Sequence, residues 1–288
     1  MKIVVLGAGG RLGAALAREL ATPHEVTGFA HAQLDLAEPD RLRSTLAPLP
    51  FDALINAAAL TNVDYCEDHR AEAMRLNAEA PRVLAEICRE KGSRFIHVST
   101  DYVFDGAKRS PYTEDDPAEP ISVYGESKRA GEVQVLEANE GALVIRVSWV
   151  FGPDRPSFVD AILQKARTEE EVAAVADKFS TPTYTPDIAA MLRPLLEPAS
   201  AAGILHLANR GECSWQEYAQ WALDCCHRLG VPMRARTVGA VSLGEMKNFV
   251  ARRPVYTVLG TEKYERLTVT PPREWREAVA DYVAAHYR

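Results

Sequence analysis

Residues 2–20 read KIVVLGAGGRLGAALAREL, and this stretch decides the fold. The apolar run at 2–6 predicts a buried strand, and the alanine- and leucine-rich run at 11–20 predicts a helix. Between them lies a glycine loop of spacing G-x-G-G-x-x-G, formed by Gly7, Gly9, Gly10 and Gly13. The first glycine permits a tight turn, the third lets the backbone approach a pyrophosphate, and the last lets strand and helix pack closely. The unit therefore predicts a dinucleotide-binding strand, loop and helix.

The alternation of short apolar runs with longer helical patterns continues through the first half of the chain. We therefore predict an α/β protein with a Rossmann-like, doubly wound parallel sheet, whose NAD(P)-binding domain covers residues 1–150. A helix and strand near 183–208 are expected to return to this sheet. Prolines and short mixed elements become frequent beyond residue 150, which predicts a smaller α+β lobe over 151–288 that mainly binds substrate.

Composition excludes several classes of protein. The chain has 33 basic and 40 acidic residues, a net charge of −7, and no basic stripe, so we expect no nucleic-acid partner. No apolar stretch approaches membrane-spanning length, and the N-terminal run is too short for a signal peptide, so a cytoplasmic protein is expected. Five cysteines without a CxxC pair indicate reduced thiols, and the seven scattered histidines predict no metal site.

The end of the second predicted strand bears on cofactor choice. Residues 28–31 read Gly-Phe-Ala-His and lack the acidic residue that binds the ribose 2′-OH in NAD-preferring sites. Arg11 and His31 offer positive charge to a 2′-phosphate, so we predict NADPH, with NADH as the second candidate. Arg11 is also consistent with a solvated surface arginine. Asp35 is spaced either to meet the adenine end of the cofactor or to cap the following helix.

Tyr124 and Lys128 lie four residues apart at the start of a predicted helix. This spacing stacks the two side chains on one face, one turn apart. A phenol with a pKa near ~10 is a poor acid at neutral pH, and a nearby ammonium lowers that pKa. The strand predicted at 93–100 ends in Ser99 and Thr100, and because side chains alternate along a strand, only one of these hydroxyls is expected to face the ligand crevice. The pattern indicates proton transfer at the sheet edge.

The glycine loop, Thr100, the Tyr124–Lys128 pair and the motif Asn56-Ala57-Ala58 together resemble the extended short-chain dehydrogenase/reductase superfamily. Longer runs closely resemble dTDP-4-dehydrorhamnose reductases. These runs are INAAALTNVDYCE, HVSTDYVFDG, YGESKRAGE, IRVSWVFG, PTYTPDIA and RRPVYTVL, followed by a tryptophan-containing helix. They are distributed over nearly the whole chain.

The resemblance implies reduction of the 4-keto group of dTDP-4-dehydro-6-deoxy-L-mannose, a nucleotide sugar, to dTDP-L-rhamnose. It makes Tyr124 the proton donor to the new alkoxide, and Lys128 the residue that binds the nicotinamide ribose and lowers the tyrosine pKa. It makes Thr100 the hydroxyl that polarises the carbonyl. The cofactor contacts then expected are Gly7, Gly9, Gly10, Arg11, Leu12, Gly13, His31, Asp35, Leu36, Ala57, Ala58, Ala59, Tyr124 and Lys128.

Four further residues are expected to bind the substrate. Asp101 and Tyr102 follow Thr100 in the same run and would line the pocket. Trp149 offers an aromatic face to the apolar side of a deoxysugar, or alternatively fills space between the lobes. Arg253 would contact the sugar or its diphosphate, because a guanidinium fork suits phosphate oxygens.

Departures from the family pattern leave the nucleotide and sugar open. Residues 157–159 read Ser-Phe-Val where these reductases show N-F-V, and 177–183 read DKFSTPT where they show D-Q-x-G-x-P-T. Two alternatives therefore remain. One is an NAD-dependent nucleotide-sugar epimerase or dehydratase, with Asp101 as candidate acid. The other is a non-catalytic regulatory subunit resembling the beta subunit of methionine adenosyltransferase. The sequence is also compatible with a homodimer.

Overall fold

The computed structural model describes residues 1–197 and 201–287. Its strands are β1 (Lys2–Leu6), β2 (Glu25–Phe29), β3 (Ala53–Asn56), β4 (Arg94–Thr100), β5 (Leu143–Val147), β6 (Val150–Phe151), β7 (Val172–Val175), β8 (Phe179–Ser180), β9 (Thr183–Tyr184), β10 (Gly203–His206), β11 (Cys213–Ser214) and β12 (Val238–Val241). Its α-helices are α1 (Arg11–Glu19), α2 (Pro39–Leu46), α3 (Val63–Asp68), α4 (Arg70–Met74), α5 (Ala80–Lys91), α6 (Val123–Ala138), α7 (Phe158–Thr168), α8 (Thr185–Leu192), α9 (Trp215–Arg228), α10 (Glu262–Thr268) and α11 (Trp275–His286).

Six of these strands form one parallel sheet in the order β2-β1-β3-β4-β5-β10. The chain runs outward from β1 to β2 in one direction and then from β3 to β10 in the other. The order therefore reverses between β1 and β3, and such a reversal opens a crevice at the carboxyl ends of the strands, where ligands bind in doubly wound sheets. The predicted fold class is confirmed. The boundary between lobes at residue 150 stays a prediction.

Helices cover both faces of the sheet, which is why its inner strands β1, β3 and β5 are mostly apolar and buried. On one face, Val5 of β1 packs with Leu16 of α1 and Ile188 of α8. On the other face, Val4 of β1 packs in a cluster with Leu84 of α5, and α2 and α6 contribute to the same cluster. Burial of apolar surface on both faces stabilises the sheet against the helices that cover it.

The helix that the sequence predicts over 71–91 is interrupted by a π-helical turn at Arg75–Glu79, between α4 and α5. Pro81 lacks the N–H that would bond to the carbonyl of Asn77 in a regular α-helix. That carbonyl instead lies against α6, because a Cβ on Gly131 would be 2.1 Å from the Asn77 oxygen. Asn77 Nδ2 also donates to Ser127 Oγ at 3.0 Å. The π-helical turn therefore packs closely against α6.

A third apolar cluster lies beyond the sheet. It joins α7, α9 and α11 to the parallel pair β7–β12 through Leu163, Tyr218 and Trp275. The chain reaches it through a break in the strand predicted over 142–151, which divides into β5 and β6 at Trp149, where φ is +41°. Over the described ranges 1–197 and 201–287, no helix is both long enough and apolar enough to cross a membrane.

Candidate active site

The glycine loop closes tightly around the end of β1. Gly7 has a φ of +79°, and a Cβ there would lie 2.8 Å from the backbone nitrogen of Ala58. A Cβ on Gly13 would lie 2.1 Å from the carbonyl oxygen of Gly7. Gly10 caps α1 without a side chain, so the first N–H groups of the helix stay uncovered. The loop fits the pyrophosphate of a dinucleotide, which needs bare backbone donors at a helix N-terminus.

Two arginines link this loop to the segment after β6. Arg11 donates to the carbonyl oxygens of Val150 and Arg155, each at 3.2 Å, and to that of Pro156 at 2.5 Å. Arg155 in turn donates from Nε to the carbonyl oxygen of Gly9 at 2.6 Å. The Arg11 guanidinium is therefore engaged by backbone carbonyls, and its contact with a 2′-phosphate stays a prediction.

The other expected cofactor contacts lie around the ends of β1, β2 and β3. The His31 ring is 85% exposed, with Nε2 at 3.6 Å from Asp35 Oδ1. That carboxylate also accepts from the backbone nitrogen of Ala37 at 2.9 Å, as in an Asx turn before α2. Leu12 and Leu36 are buried in the apolar clusters. The half-buried segment of residues 57–59 lies directly after β3, beside Gly7.

Tyr124 and Lys128 lie in the first two turns of α6, which Ser122 begins by accepting a hydrogen bond from the backbone nitrogen of Gly125 at 3.2 Å. Tyr124 is buried, and burial raises its pKa, while the neighbouring Thr100 hydroxyl lowers it. The Lys128 ammonium is also buried and donates to the carbonyl oxygen of Val98 at 2.7 Å. Burial lowers the pKa of Lys128 to about 8, against the opposing charge of Glu132.

Thr100 ends β4 at the same edge. Its Oγ1 donates to Asp101 Oδ1 at 3.1 Å and accepts from the backbone nitrogen of Tyr102 at 3.2 Å. Ser99, its neighbour, is directed instead at Glu132 of α6, to which it donates at 2.6 Å. Thr100, and not Ser99, therefore faces the Tyr124 hydroxyl, and Lys128 reaches the same strand at the carbonyl oxygen of Val98.

The Asp101 carboxylate is buried beneath this edge. Its Oδ2 accepts from Ser148 Oγ at 3.0 Å and from Thr257 Oγ1 at 2.6 Å. Burial raises the pKa of Asp101, while the charge of Lys178 and the three hydroxyl donors lower it. Three hydrogen-bond donors on one carboxylate favour its ionised form.

Lys178 supplies a second buried ammonium. Its Nζ donates to the carbonyl oxygen of Pro254 at 2.6 Å and lies 5.1 Å from the centre of the Tyr102 ring. The Tyr102 ring meets the Tyr124 ring edge to face at 5.8 Å. Burial lowers the pKa of Lys178 to about 8, and the charge of Asp101 opposes this effect. The site thus contains two lysines whose pKa values burial lowers to about 8.

Arg253 is paired within the protein. Its Nη2 lies 2.7 Å from Asp64 Oδ2, and its Nη1 lies 3.0 Å from Asp64 Oδ1. Asp64 Oδ1 also accepts from the backbone nitrogens of Val250 and Ala251. The guanidinium stacks on Phe249 at 4.1 Å. In this state Arg253 holds the 249–253 segment against α3, and its contact with a substrate diphosphate stays a prediction.

Trp149 belongs to an aromatic cluster. Its ring centre lies 5.3 Å from that of Phe158, 5.5 Å from that of Trp215 and 4.8 Å from that of Tyr218. Trp149 and Trp215 are only partly buried, so they keep ring surface accessible. The cluster therefore combines both readings of Trp149, because it fills space and also presents aromatic surface.

Sequence reasoning missed three contributors to the site. Lys178 was visible only as the departure from glutamine in the 177–183 run. His97, a buried polar residue in the middle of an apolar strand, contacts Lys128 at 3.4 Å. Asp64 lies in a run quoted for the family resemblance, but nothing local indicates its partner 189 residues away. Among the residues that the structure describes, no group of three or more His, Cys, Asp or Glu side chains is placed to hold a metal ion.

Comparisons with known proteins agree with this geometry. The chain matches the family model of the RmlD substrate binding domain over residues 1–288. It is 38% identical to a dTDP-4-dehydrorhamnose reductase of Mycolicibacterium smegmatis, over 99% of this chain and 85% of that protein. It is also 38% identical to a probable dTDP-4,6-dihydroxy-2-methyloxan-3-one 4-ketoreductase of Streptomyces antibioticus, over 100% and 97% of the two chains.

A solved structure shows the same fold. The dTDP-4-dehydrorhamnose reductase of Bacillus anthracis, in complex with NADP, superposes with a TM-score of 0.92 at 29% identity, and the match covers 99% of each chain. Because the family model and the relatives both span the whole chain, this protein belongs to the dTDP-4-dehydrorhamnose reductase family, whose model is the RmlD substrate binding domain.

Proposed function

We propose that this protein is an NADPH-dependent reductase of the 4-keto group of a dTDP-activated deoxysugar, with dTDP-4-dehydro-6-deoxy-L-mannose as the first candidate substrate. The observation that carries the proposal is the meeting of Thr100, Tyr124 and Lys128 at the sheet edge, beside the glycine loop. A hydroxyl, a phenol and an ammonium in one buried crevice suit the reduction of a carbonyl, which takes up one hydride and one proton. The family relationship supplies the substrate class.

The proposed roles follow from the protonation states. Tyr124 is a phenol at neutral pH because burial raises its pKa, so it carries the proton that a new alkoxide needs. Lys128 is placed one turn away, where its charge stabilises the tyrosinate that remains. The cofactor supplies the hydride, and Thr100 orients the carbonyl oxygen toward the Tyr124 hydroxyl.

The pocket wall suits a deoxyhexose. Trp149 and Trp215 offer partly exposed aromatic surface, which packs well against the apolar face of a sugar ring. Tyr102 follows Asp101 in the chain, and its ring lies beside the Lys178 ammonium. We propose that these side chains decide which sugar is accepted, since Lys178 departs from the family pattern.

The cofactor proposal rests on the bare N-terminus of α1, on the absence of an acidic residue at the end of β2, and on the NADP complex of the Bacillus anthracis relative. NADH is the second candidate. We further propose that the protein acts in the cytoplasm. Its five cysteines are free thiols, which is the state that a reducing compartment maintains. They are Cys66, Cys88, Cys213, Cys225 and Cys226.

The decisive experiment measures the oxidation of NADPH and of NADH by absorbance, with enzymatically prepared dTDP-4-dehydro-6-deoxy-L-mannose. We expect substrate-dependent oxidation of NADPH and formation of dTDP-L-rhamnose. Conversion of the sugar without net oxidation would instead establish an epimerase or dehydratase. Cofactor binding without turnover of this or any related dTDP-4-keto sugar would favour the regulatory-subunit alternative.

A further inference from the structure

A chain of buried side chains lies behind Lys128. His97 of β4 places Nε2 at 3.4 Å from Lys128 Nζ and Nδ1 at 3.1 Å from Asn56 Nδ2. Asn56 ends β3 and accepts, through Oδ1, a hydrogen bond from the backbone nitrogen of Ala58 at 3.1 Å. Both His97 and Asn56 are fully buried. The chain therefore runs from the backbone beside the glycine loop to the lysine of the site.

Hydrogen-bond directions along this chain are fixed from one end. The Ala58 N–H is a donor, so it selects the oxygen of the Asn56 amide and turns the amide nitrogen toward His97. Asn56 Nδ2 then donates, and His97 Nδ1 accepts. Burial and the charge of Lys128 both lower the pKa of His97, so the ring is neutral and carries one proton. That proton is on Nε2, the nitrogen that faces Lys128.

This tautomer acts on Lys128. An ammonium has no lone pair, so it cannot accept from His97 Nε2–H, whereas a neutral amine can. Lys128 keeps its bond to the carbonyl oxygen of Val98 in either state. The His97 N–H therefore favours the neutral amine and makes the lysine proton easier to release. Such a lysine is able to restore the proton that Tyr124 gives up, which leaves a neutral phenol and a neutral amine.

One carboxylate near Lys128 acts on its pKa in the opposite direction. Glu132 of the same helix raises the pKa of Lys128. Arg146 of β5 forms two hydrogen bonds of 2.8 Å with the Glu132 carboxylate, and Arg129 forms one at 2.9 Å, so its charge is largely balanced. Two ionisable groups on neighbouring helices bind other residues of α6: Glu67 at Val123 and Arg70 at Glu126.

We propose that Asn56 and His97 are positioning residues for Lys128: they form a relay that holds His97 as the Nε2–H tautomer and so makes Lys128 a ready proton source. This inference rests on the role proposed for Lys128. The relay itself, however, is a property of the protein without substrate. The relay connects the backbone N–H of Ala58, beside the glycine loop, to the side chain of Lys128.

The first test is nitrogen NMR of the wild-type protein labelled with ¹⁵N-histidine, with a His97→Gln variant to assign the resonance. We expect His97 to be a neutral Nε2–H imidazole throughout the stable pH range. A neutral Nδ1–H ring, or an imidazolium near neutral pH, would overturn the proposal. Neither result depends on turnover, so failure of the relay is distinguishable from failure of the proposed function.

The second test uses Asn56→Asp to reverse the direction of the hydrogen bond between residue 56 and His97. A carboxylate accepts from both the Ala58 N–H and His97, which moves the histidine proton to Nδ1 and frees Nε2 to accept from the Lys128 ammonium. We expect the tautomer to switch and the alkaline limb of the kcat profile to move up by about one pH unit. Asn139→Asp, at the far end of α6, is the matched control and should change neither. An unchanged tautomer in folded Asn56→Asp would contradict the relay.

Discussion

At the scale of single residues, the site depends on how burial sets protonation. Tyr124 and Lys128 are one helical turn apart, and burial moves their pKa values in opposite directions, up for the phenol and down for the ammonium, so that it favours the neutral form of each side chain. Exposed residues at the same spacing would keep ordinary pKa values and gain little from each other. The Y-x-x-x-K pattern is buried because α6 lies against β4, and its role in proton transfer stays a prediction.

The Tyr124→Phe variant tests the proton donor. We expect turnover to fall by about 10²-fold or more, because a positioned general acid is lost, while cofactor affinity changes little. Steady-state rates and a cofactor titration by fluorescence measure the two effects separately. Tyr264→Phe removes a hydroxyl from another buried tyrosine, on α10, and is the control. Near-normal turnover in Tyr124→Phe would remove Tyr124 from the mechanism.

The Arg11→Ala variant tests cofactor choice. We expect the Kd for NADPH to rise roughly tenfold more than that for NADH, as the loss of a charge-assisted contact to a 2′-phosphate would cause. Arg18→Ala, on the same helix and paired with Glu19 and Asp154, is the matched control. Equal losses for both cofactors would show that Arg11 acts only by holding the 150–156 backbone to the glycine loop.

At the scale of elements, the sequence predicted what local patterns determine. The strand, glycine loop and helix at 2–20 follow from neighbouring residues alone, and so does the helix start that carries Tyr124 and Lys128. The π turn before α5 was not predicted, because it depends on the contact of Asn77 with Gly131, 54 residues later. The break at Trp149 was missed for the same reason. The apolar pattern of residues 142–151 predicts one continuous strand. The break depends on the contact of Trp149 with rings that are distant in the sequence, such as Tyr218.

The Asp64→Asn variant tests how the 249–253 segment is held. Asp64 binds two backbone nitrogens and the Arg253 guanidinium, so loss of its charge should weaken all of these contacts. We expect hydrogen exchange at Val250 and Ala251 to accelerate by about tenfold or more, without a change in the sheet. Asp68→Asn, an exposed site on the same helix, is the control. Unchanged exchange in Asp64→Asn would mean that other contacts hold the segment.

At the scale of the whole molecule, the candidate site draws on segments that are far apart in the sequence. The sheet contributes Thr100, while the segment after β7 contributes Lys178, and the two meet at Asp101. The parallel sheet and its crevice could be predicted from periodicity. Lys178 could not, because a charged residue in a short polar run is normally solvated, and only tertiary contacts bury it. The stability of the molecule therefore includes the cost of two buried ammonium groups.

The Lys178→Gln variant tests that cost through the pH dependence of stability. The folded-state pKa of Lys178 is about 8, below its ordinary value of 10.5. Between these two values the unfolded chain binds the proton and the folded chain does not, so the free energy of unfolding rises with pH across this window. The contribution is at most roughly 3 kcal/mol, and Lys128 adds a similar rise.

We therefore expect a smaller rise in Lys178→Gln than in the wild type between about pH 7 and about pH 9.5, as measured by urea unfolding. The variant should also be more stable than the wild type at the lower pH, because glutamine carries no charge to bury. Lys263→Gln is the matched control, since Lys263 also donates to a backbone carbonyl, that of Ile204 at 2.7 Å, but is only half-buried. Equal rises in all three proteins would mean that Lys178 stays charged in the folded state. Its proposed influence on Asp101 would then be that of a permanent cation.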